Sequence, residues 1–236
     1  MRLADILYPP RCPGCDEVMN PEERRDGFCV VCRKKVIRAT EPCCKCCGKP
    51  LLESSSEYCR DCDNKRHIFS QGRAIYVYEG ILRDAMYRFK YSNRRAYAIS
   101  FAMDAKREHK AWVEAMGIDL IVPVPMYWAK ERQRGYNQAV VLAKALGREF
   151  GIPVETRAVR RTENTKPQKE LNISERRQNL KNAFNISRNV VKSKKILLVD
   201  DIYTTGSTLD AVSGTLIASG AYSVCGMYAC IGKIDQ

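Results

Sequence analysis

Residues 196–209 read I-L-L-V-D-D-I-Y-T-T-G-S-T-L, and they restrict the possible fold more than any other stretch. The run Ile196, Leu197, Leu198, Val199 has no polar interruption, which is the pattern of a central parallel strand covered on both faces. Two adjacent acids, Asp200 and Asp201, end it. Thr204, Thr205, Gly206, Ser207 and Thr208 follow, and Leu209, Val212, Leu216 and Ile217 then recur at helical spacing. Strand, polar loop and helix N-terminus in that order predict an open α/β sheet, whose ligands sit beyond the carboxyl ends of the strands. Backbone N–H groups and the helix dipole favour an anion there. Gly206 permits a positive φ or a close approach, and the hydroxyls add donors, so a phosphate fits the loop. Asp200 and Asp201 would repel that phosphate, which assigns them to ribose hydroxyls or a hydrated Mg²⁺ beside it. A sugar phosphate offers both. The plainer alternative is an N-capped turn with two solvated acids.

Cysteine placement is the second constraint. Of twelve cysteines, ten lie between Cys12 and Cys62, so the first sixty residues are chemically distinct from the rest. At 236 residues the chain accommodates one α/β domain and a small appendage, here residues 67–236 and 1–66. The start carries Asp5 and stops at Pro9 and Pro10, unlike a signal peptide, and no stretch approaches eighteen apolar residues. A cytoplasmic location without membrane insertion is the expectation, and reduced thiols in clusters then read as metal ligands. Cys12-x-x-Cys15 with Cys29-x-x-Cys32, and Cys44-x-x-Cys47 with Cys59-x-x-Cys62, predict two structural Zn²⁺ sites. Cys43 and Cys46 form a competing pair, and Gly48 directly after Cys47 favours the Cys44 register. A crossed sharing of ions satisfies the same spacing. His67 reads as an ordinary linker residue.

A basic cluster supplies the third constraint. Lys130, Arg132, Arg134, Gly135, Tyr136, Asn137 and Gln138 lie between a strand candidate at residues 119–124 and a helical pattern from Ala139 to Phe150. Cations between a strand and a helix predict a second anion site, set against the alternative of a solvated basic loop. Strands are predicted at 73–78, 152–159, 184–186 and 222–231, and a helix from Ile81, with Cys225 and Cys230 as small apolar groups of the last strand. Lys90, Arg94 and Arg95 read as a solvated helix end, with reach toward an anionic ligand as the alternative. Residues 160–179 are polar, basic and interrupted by Pro167, which is too long for an idle connector and predicts a lid. The net charge of +13 makes polyanions eligible partners.

Residues 199–208 resemble the phosphoribosyl pyrophosphate (PRPP) motif of type I phosphoribosyltransferases. The resemblance implies that Asp200 and Asp201 hold the ribose 2′ and 3′ hydroxyls, while residues 204–208 hold the 5′-phosphate. Pro123-Val124-Pro125 followed by R-x-R-G-Y-N-Q from Arg132 is similar to the ComF family, in which this combination accompanies an N-terminal double zinc ribbon. That implies a type I phosphoribosyltransferase-like, open, mainly parallel sheet flanked by helices. It also implies PRPP binding with Mg²⁺, transfer to a nitrogen acceptor, and pyrophosphate charge stabilised by Lys130, Arg132 and Arg134. Arg161, Thr165, Gln168, Leu171, Arg176 and Asn179 match the family's spacing in the lid, which adds Arg161, Gln168 and Arg176 to the ligand set. Natural competence, single-stranded DNA and the helicase machinery of DNA uptake enter as partners by the same resemblance. A non-catalytic DNA-binding accessory protein and a PRPP sensor are the competing readings. No purine or pyrimidine pocket has a signature in the sequence.

Overall fold

The computed structural model describes residues 9–53, 55–161 and 184–233. Strands β1 (Gly72–Val77), β2 (Leu120–Pro123), β5 (Lys195–Tyr203) and β6 (Ser223–Ile231) form one parallel sheet in the order β1-β6-β5-β2. β3 (Val159–Arg161) and β4 (Phe184–Ile186) form a separate antiparallel pair. The helices are α1 (Glu23–Asp26), α2 (Val30–Arg33), α3 (Arg60–Asp63), α4 (Ile81–Tyr91), α5 (Tyr97–Met116), α6 (Trp128–Arg134), α7 (Gln138–Phe150), α8 (Arg188–Val191) and α9 (Ser207–Ala218). None of the described helices is long and apolar enough to cross a membrane.

The uninterrupted apolar run of β5 follows from its central position. Side chains alternate between faces along a strand, and here both faces are covered. Leu197 and Val199 join Met86, Phe89, Phe101, Leu142 and Leu146 of α4, α5 and α7. Ile196 and Leu198 turn to the other face, toward Leu209, Val212 and Leu216 of α9. All four β5 residues are fully buried. At roughly 1.5–3 kcal/mol each, they contribute on the order of 10 kcal/mol against the chain entropy lost. Cys225 and Cys230 are buried in β6 as small apolar groups.

Two elements differ from expectation. Residues 152–159 do not form a full strand: a single parallel bridge joins Val154 to Ile121, and regular pairing begins at Val159. Pro153 has no N–H to extend that ladder. α5, at 20 residues, emerges where apolar periodicity gave no signal. Its buried face includes Ser100, Asp104 and His109, and these polar residues break the pattern.

The cysteine-rich head lies along the free edge of β1. Ala39 N–H donates to Ile75 O and Val77 N–H donates to Ile37 O, so residues 37–39 pair antiparallel with the strand. Phe28 packs edge-on against Tyr76. Arg38 reaches the buried Asp104 of α5 at 3.0 Å, and the Tyr76 hydroxyl donates to the same carboxylate. An edge strand that would otherwise template aggregation is thereby covered.

Candidate functional site

β2 pairs with β5 only as far as Pro123 opposite Val199, whereas β6 continues to pair with β5 up to Tyr203. Asp200 and Asp201 therefore begin where one flank of the central strand loses its neighbour. This is the carboxyl end of an open parallel sheet, where such folds bind ligands. Burial, and next the charge of Asp201, push the Asp200 carboxyl up to about 8. The Asp201 N–H donates to Asp200 Oδ1 at 2.8 Å, and Lys90 Nζ lies 2.9 Å from Asp201 Oδ2.

After β5 the chain turns through residues 204–206 into α9. Gly206 has φ +71°, and a Cβ there would come within 2.6 Å of the Tyr203 hydroxyl oxygen, so both conformation and space require glycine. Thr204 and Thr205 are exposed, Ser207 and Thr208 half-buried, and Thr205 Oγ1 lies 2.9 Å from Ser207 Oγ. Hydroxyls and free N–H groups at the start of a 12-residue helix form a site suited to an anion.

The basic motif approaches the acids through one residue. Tyr136 donates its hydroxyl to Phe89 O, and Gln138 Nε2 donates to Lys90 O at 3.4 Å. Both bonds clamp the last turn of α4, from which Lys90 extends to Asp201. Asn137 is buried; its Oδ1 accepts from Ala139 N–H to cap α7, and its Nδ2 donates to Val124 O. Gly135 ends α6 at φ +84°. Arg134 donates to Gln138 Oε1 at 2.7 Å and lies over the Tyr91 ring at 4.8 Å. Lys130 and Arg132 are exposed on α6, with no hydrogen bond or ion pair among the described residues. Lys90 is thus not the solvated helix end that its sequence context suggests. No sequence signal separates it from its basic neighbours, because a clamp formed 46 to 48 residues later places it.

Arg161 lies in β3 with its guanidinium 5.9 Å from the Phe184 ring, and burial lowers its pKa. Thr165, Gln168, Leu171, Arg176 and Asn179, with the rest of the expected lid from residue 162 to 179, fall outside the described residues.

In the head, the ligand atoms of Cys12, Cys15, Cys29 and Cys32 lie within 4.8 Å of one another, as do those of Cys44, Cys47, Cys59 and Cys62. Backbone N–H groups support the first set, Cys29 N–H on Cys12 Sγ and Cys32 N–H on Cys29 Sγ, each at 3.4 Å. Four thiols converging on one point fit a tetrahedral Zn²⁺. Cys43 lies outside both sets; Cys46 instead approaches Cys62 and His67.

Sheet topology, the acid and hydroxyl loop and the paired tetrads define a class: a phosphoribosyltransferase domain joined to a double zinc ribbon. Residues 3–63 match the family described as Double zinc ribbon domain, and residues 137–229 match Phosphoribosyl transferase domain. The chain is 34% identical to Competence protein F of Haemophilus influenzae, over 91% of this chain and 93% of that protein. Competence protein ComFC of Bacillus subtilis is 29% identical, over 86% and 82% respectively. DNA utilization protein YhgH of Escherichia coli K12 is 30% identical, over 84% and 87%. The chain belongs to the ComF family.

Proposed function

We propose that this protein binds PRPP with Mg²⁺ and transfers the phosphoribosyl group to a nitrogen acceptor. The observation that supports this reading is the convergence of two unlike sites at the end of β5: the acid pair with its hydroxyl loop, and Lys90 with the basic motif behind it. A ligand with a phosphate at one end, a diphosphate at the other and a diol between them matches that order. The hydroxyl loop, residues 204–208, takes the 5′-phosphate. Asp200 and Asp201 hold the ribose hydroxyls and the hydrated ion, whose charge helps to balance the diphosphate. Lys130, Arg132 and Arg134 of α6 face the leaving group, with Gly135, Asn137 and Gln138 fixing the end of the helix that presents them. Arg161, Gln168 and Arg176 belong to the segment that closes over the sugar.

In the reaction, the bond from the anomeric carbon to the pyrophosphate oxygen breaks and its electron pair leaves with pyrophosphate. The acceptor nitrogen forms the new bond and gives its proton to solvent. Cations preorganised at the leaving oxygen stabilise the charge where it develops. Calorimetry with Mg-PRPP, followed by pyrophosphate release across a panel of nucleobases and amines, tests the reading. Wild type is expected to bind, and Asp200→Asn with Asp201→Asn to lose binding at least tenfold. Absence of binding by wild type overturns the proposal. Binding without turnover on any acceptor would favour a PRPP sensor.

A second reading has its own observation. Tyr87 and Tyr91 are both more than 60% exposed, their ring centroids are 5.1 Å apart, and Arg134 covers one of them. Aromatic faces beside cations suit stacked single-stranded bases, and one relative is named for DNA utilization. Steeply salt-dependent oligonucleotide binding that Tyr87→Ala and Tyr91→Ala abolish, while Asp200→Asn leaves it intact, would place DNA on this surface.

A further inference from the structure

The second cysteine tetrad ends at Cys62, and the residues after it run directly to the phosphate loop. Lys65 Nζ is 3.0 Å from Asp210 Oδ2 and donates to Thr205 O at 3.3 Å. His67 Nδ1 is 2.9 Å from Asp210 Oδ2, and Ile68 N–H donates to Asp210 Oδ1 at 2.9 Å. A carboxylate only accepts, so Nδ1 carries the proton. The His67 side chain is 2% exposed. Its ring stacks on Phe69 at 4.8 Å, and a Cβ on Gly206 would lie 2.7 Å from its Cε1. Its Nε2 lies 3.4 Å from the Tyr203 hydroxyl, and a ring nitrogen comes within 4.8 Å of the Cys46 and Cys62 sulfurs. One imidazole therefore lies between the Cys46 and Cys62 thiols and the Gly206 turn.

Asp210 makes this contact consequential. It sits in the first turn of α9, the helix whose N-terminus faces the proposed phosphate. Burial raises its pKa, but bonds from His67, from Ile68 N–H and from Lys65 outweigh that effect, and the net pKa is lowered. An ionised carboxylate one turn from an anion site repels the anion unless a cation and donors hold and offset it. Both kinds of partner come from residues 65–68.

We propose that Lys65 and His67 are positioning residues of the phosphate loop: by holding and offsetting Asp210, they let the second zinc ribbon set how tightly residues 204–208 bind a phosphomonoester. The inference rests on the assignment of that loop to the 5′-phosphate of PRPP. Two probes are titrated by calorimetry, Mg-PRPP and ribose 5-phosphate, the second lacking the diphosphate and so reading the loop alone. Zinc is counted on every variant, so that a lost ribbon is recognised. Lys65→Ala with His67→Gln is expected to weaken both probes at least tenfold while two ions remain per chain. Adding Asp210→Asn to that background is expected to recover at least threefold, because the repelling charge has gone. A merely structural role predicts no such recovery.

Wild-type affinity in the double variant with zinc retained overturns the proposal, as does a complete absence of recovery. If the double variant fails to fold, Lys65→Met alone, at a side chain 44% exposed, is expected to weaken ribose 5-phosphate about threefold, and unchanged affinity overturns the proposal. Amide hydrogen exchange across residues 204–208 without ligand reads the same tether independently of any sugar. Exchange is expected to quicken in the double variant, and an unchanged rate counts against the tether. Failure of wild type to bind Mg-PRPP removes the substrate assignment, a result distinct from these.

Discussion

Asp200 holds a proton at neutral pH against the ordinary behaviour of its residue type. Its carboxyl stands at about 8 in the folded chain, because of burial and then the Asp201 charge, against an ordinary 3.8. Between those values the folded state binds more protons than the unfolded state, so its contribution to stability falls as pH rises. That contribution is greatest below about pH 4, the unfolded value, and is lost progressively toward about pH 8, the folded value. Asp200→Asn removes the dependence. The variant is expected to melt above wild type at about pH 7.5 by a few kcal/mol, since each tenfold change in acidity is worth about 1.4 kcal/mol, with the gap closing near about pH 4. Equal melting temperatures at both pH values would show that the carboxyl carries no such strain. Such a gain at a proposed binding residue would fit the usual conflict between function and stability. The acids, hydroxyls and Gly206 were legible in the sequence because they occupy one continuous string with its own strand and helix. Lys90 and Asp210 were not: each reads locally as a common charge at a helix end, and only contacts from distant residues give it a role.

Among the elements, β1 shows most directly how head and sheet depend on each other. Gly72 starts the strand, its N–H donates to Cys46 O, and a Cβ there would lie 1.9 Å from the Tyr228 hydroxyl oxygen. That hydroxyl in turn donates to Cys47 O at 2.8 Å, so three backbones meet around one phenol. Gly72→Ala is expected to destabilise the chain by about 1–3 kcal/mol through overpacking. Tyr228→Phe alone is expected to cost about 1 kcal/mol for the hydrogen bond, yet in the Gly72→Ala background it relieves the clash. The two losses are therefore expected to be less than additive in denaturant unfolding, and strict additivity would mean that the strand shifts away from the ring. Strand β5 and helix α9 were readable from their patterns because each is apolar where it packs. α5 was hidden for the opposite reason. Asp104 and His109 are buried on its inner face, where one serves Arg38 and Tyr76 and the other lies 2.8 Å from Ala74 O.

At the scale of the whole molecule, the division suggested by cysteine content meets a continuous set of contacts. Arg88 donates to Pro13 O and Gly14 O, Arg94 pairs with Asp16 at 2.6 Å, and the Tyr97 hydroxyl donates to the same carboxylate. Cys12, Met19, Phe28 and Val36 share one hydrophobic cluster with Phe89, Phe101 and Leu197. A head this short needs its ions to fold, and the sheet needs the head to cover β1 and to balance Asp104, which is fully buried and would otherwise keep Arg107 as its one cation among the described residues, beside the Tyr76 hydroxyl. The two parts are therefore expected to unfold together. Scanning calorimetry of the full chain should give one transition, and a chelator that strips the zinc should move that whole transition down. Residues 67–236 expressed alone should expose the β1 edge and the ring of Tyr76, and light scattering should find them associated, since an open edge beside apolar surface recruits other chains. Two resolved transitions, or a monodisperse fragment melting near the full chain, would show instead that the sheet folds without the head, and zinc could then influence the proposed phosphate loop only through the local contacts of residues 65–68.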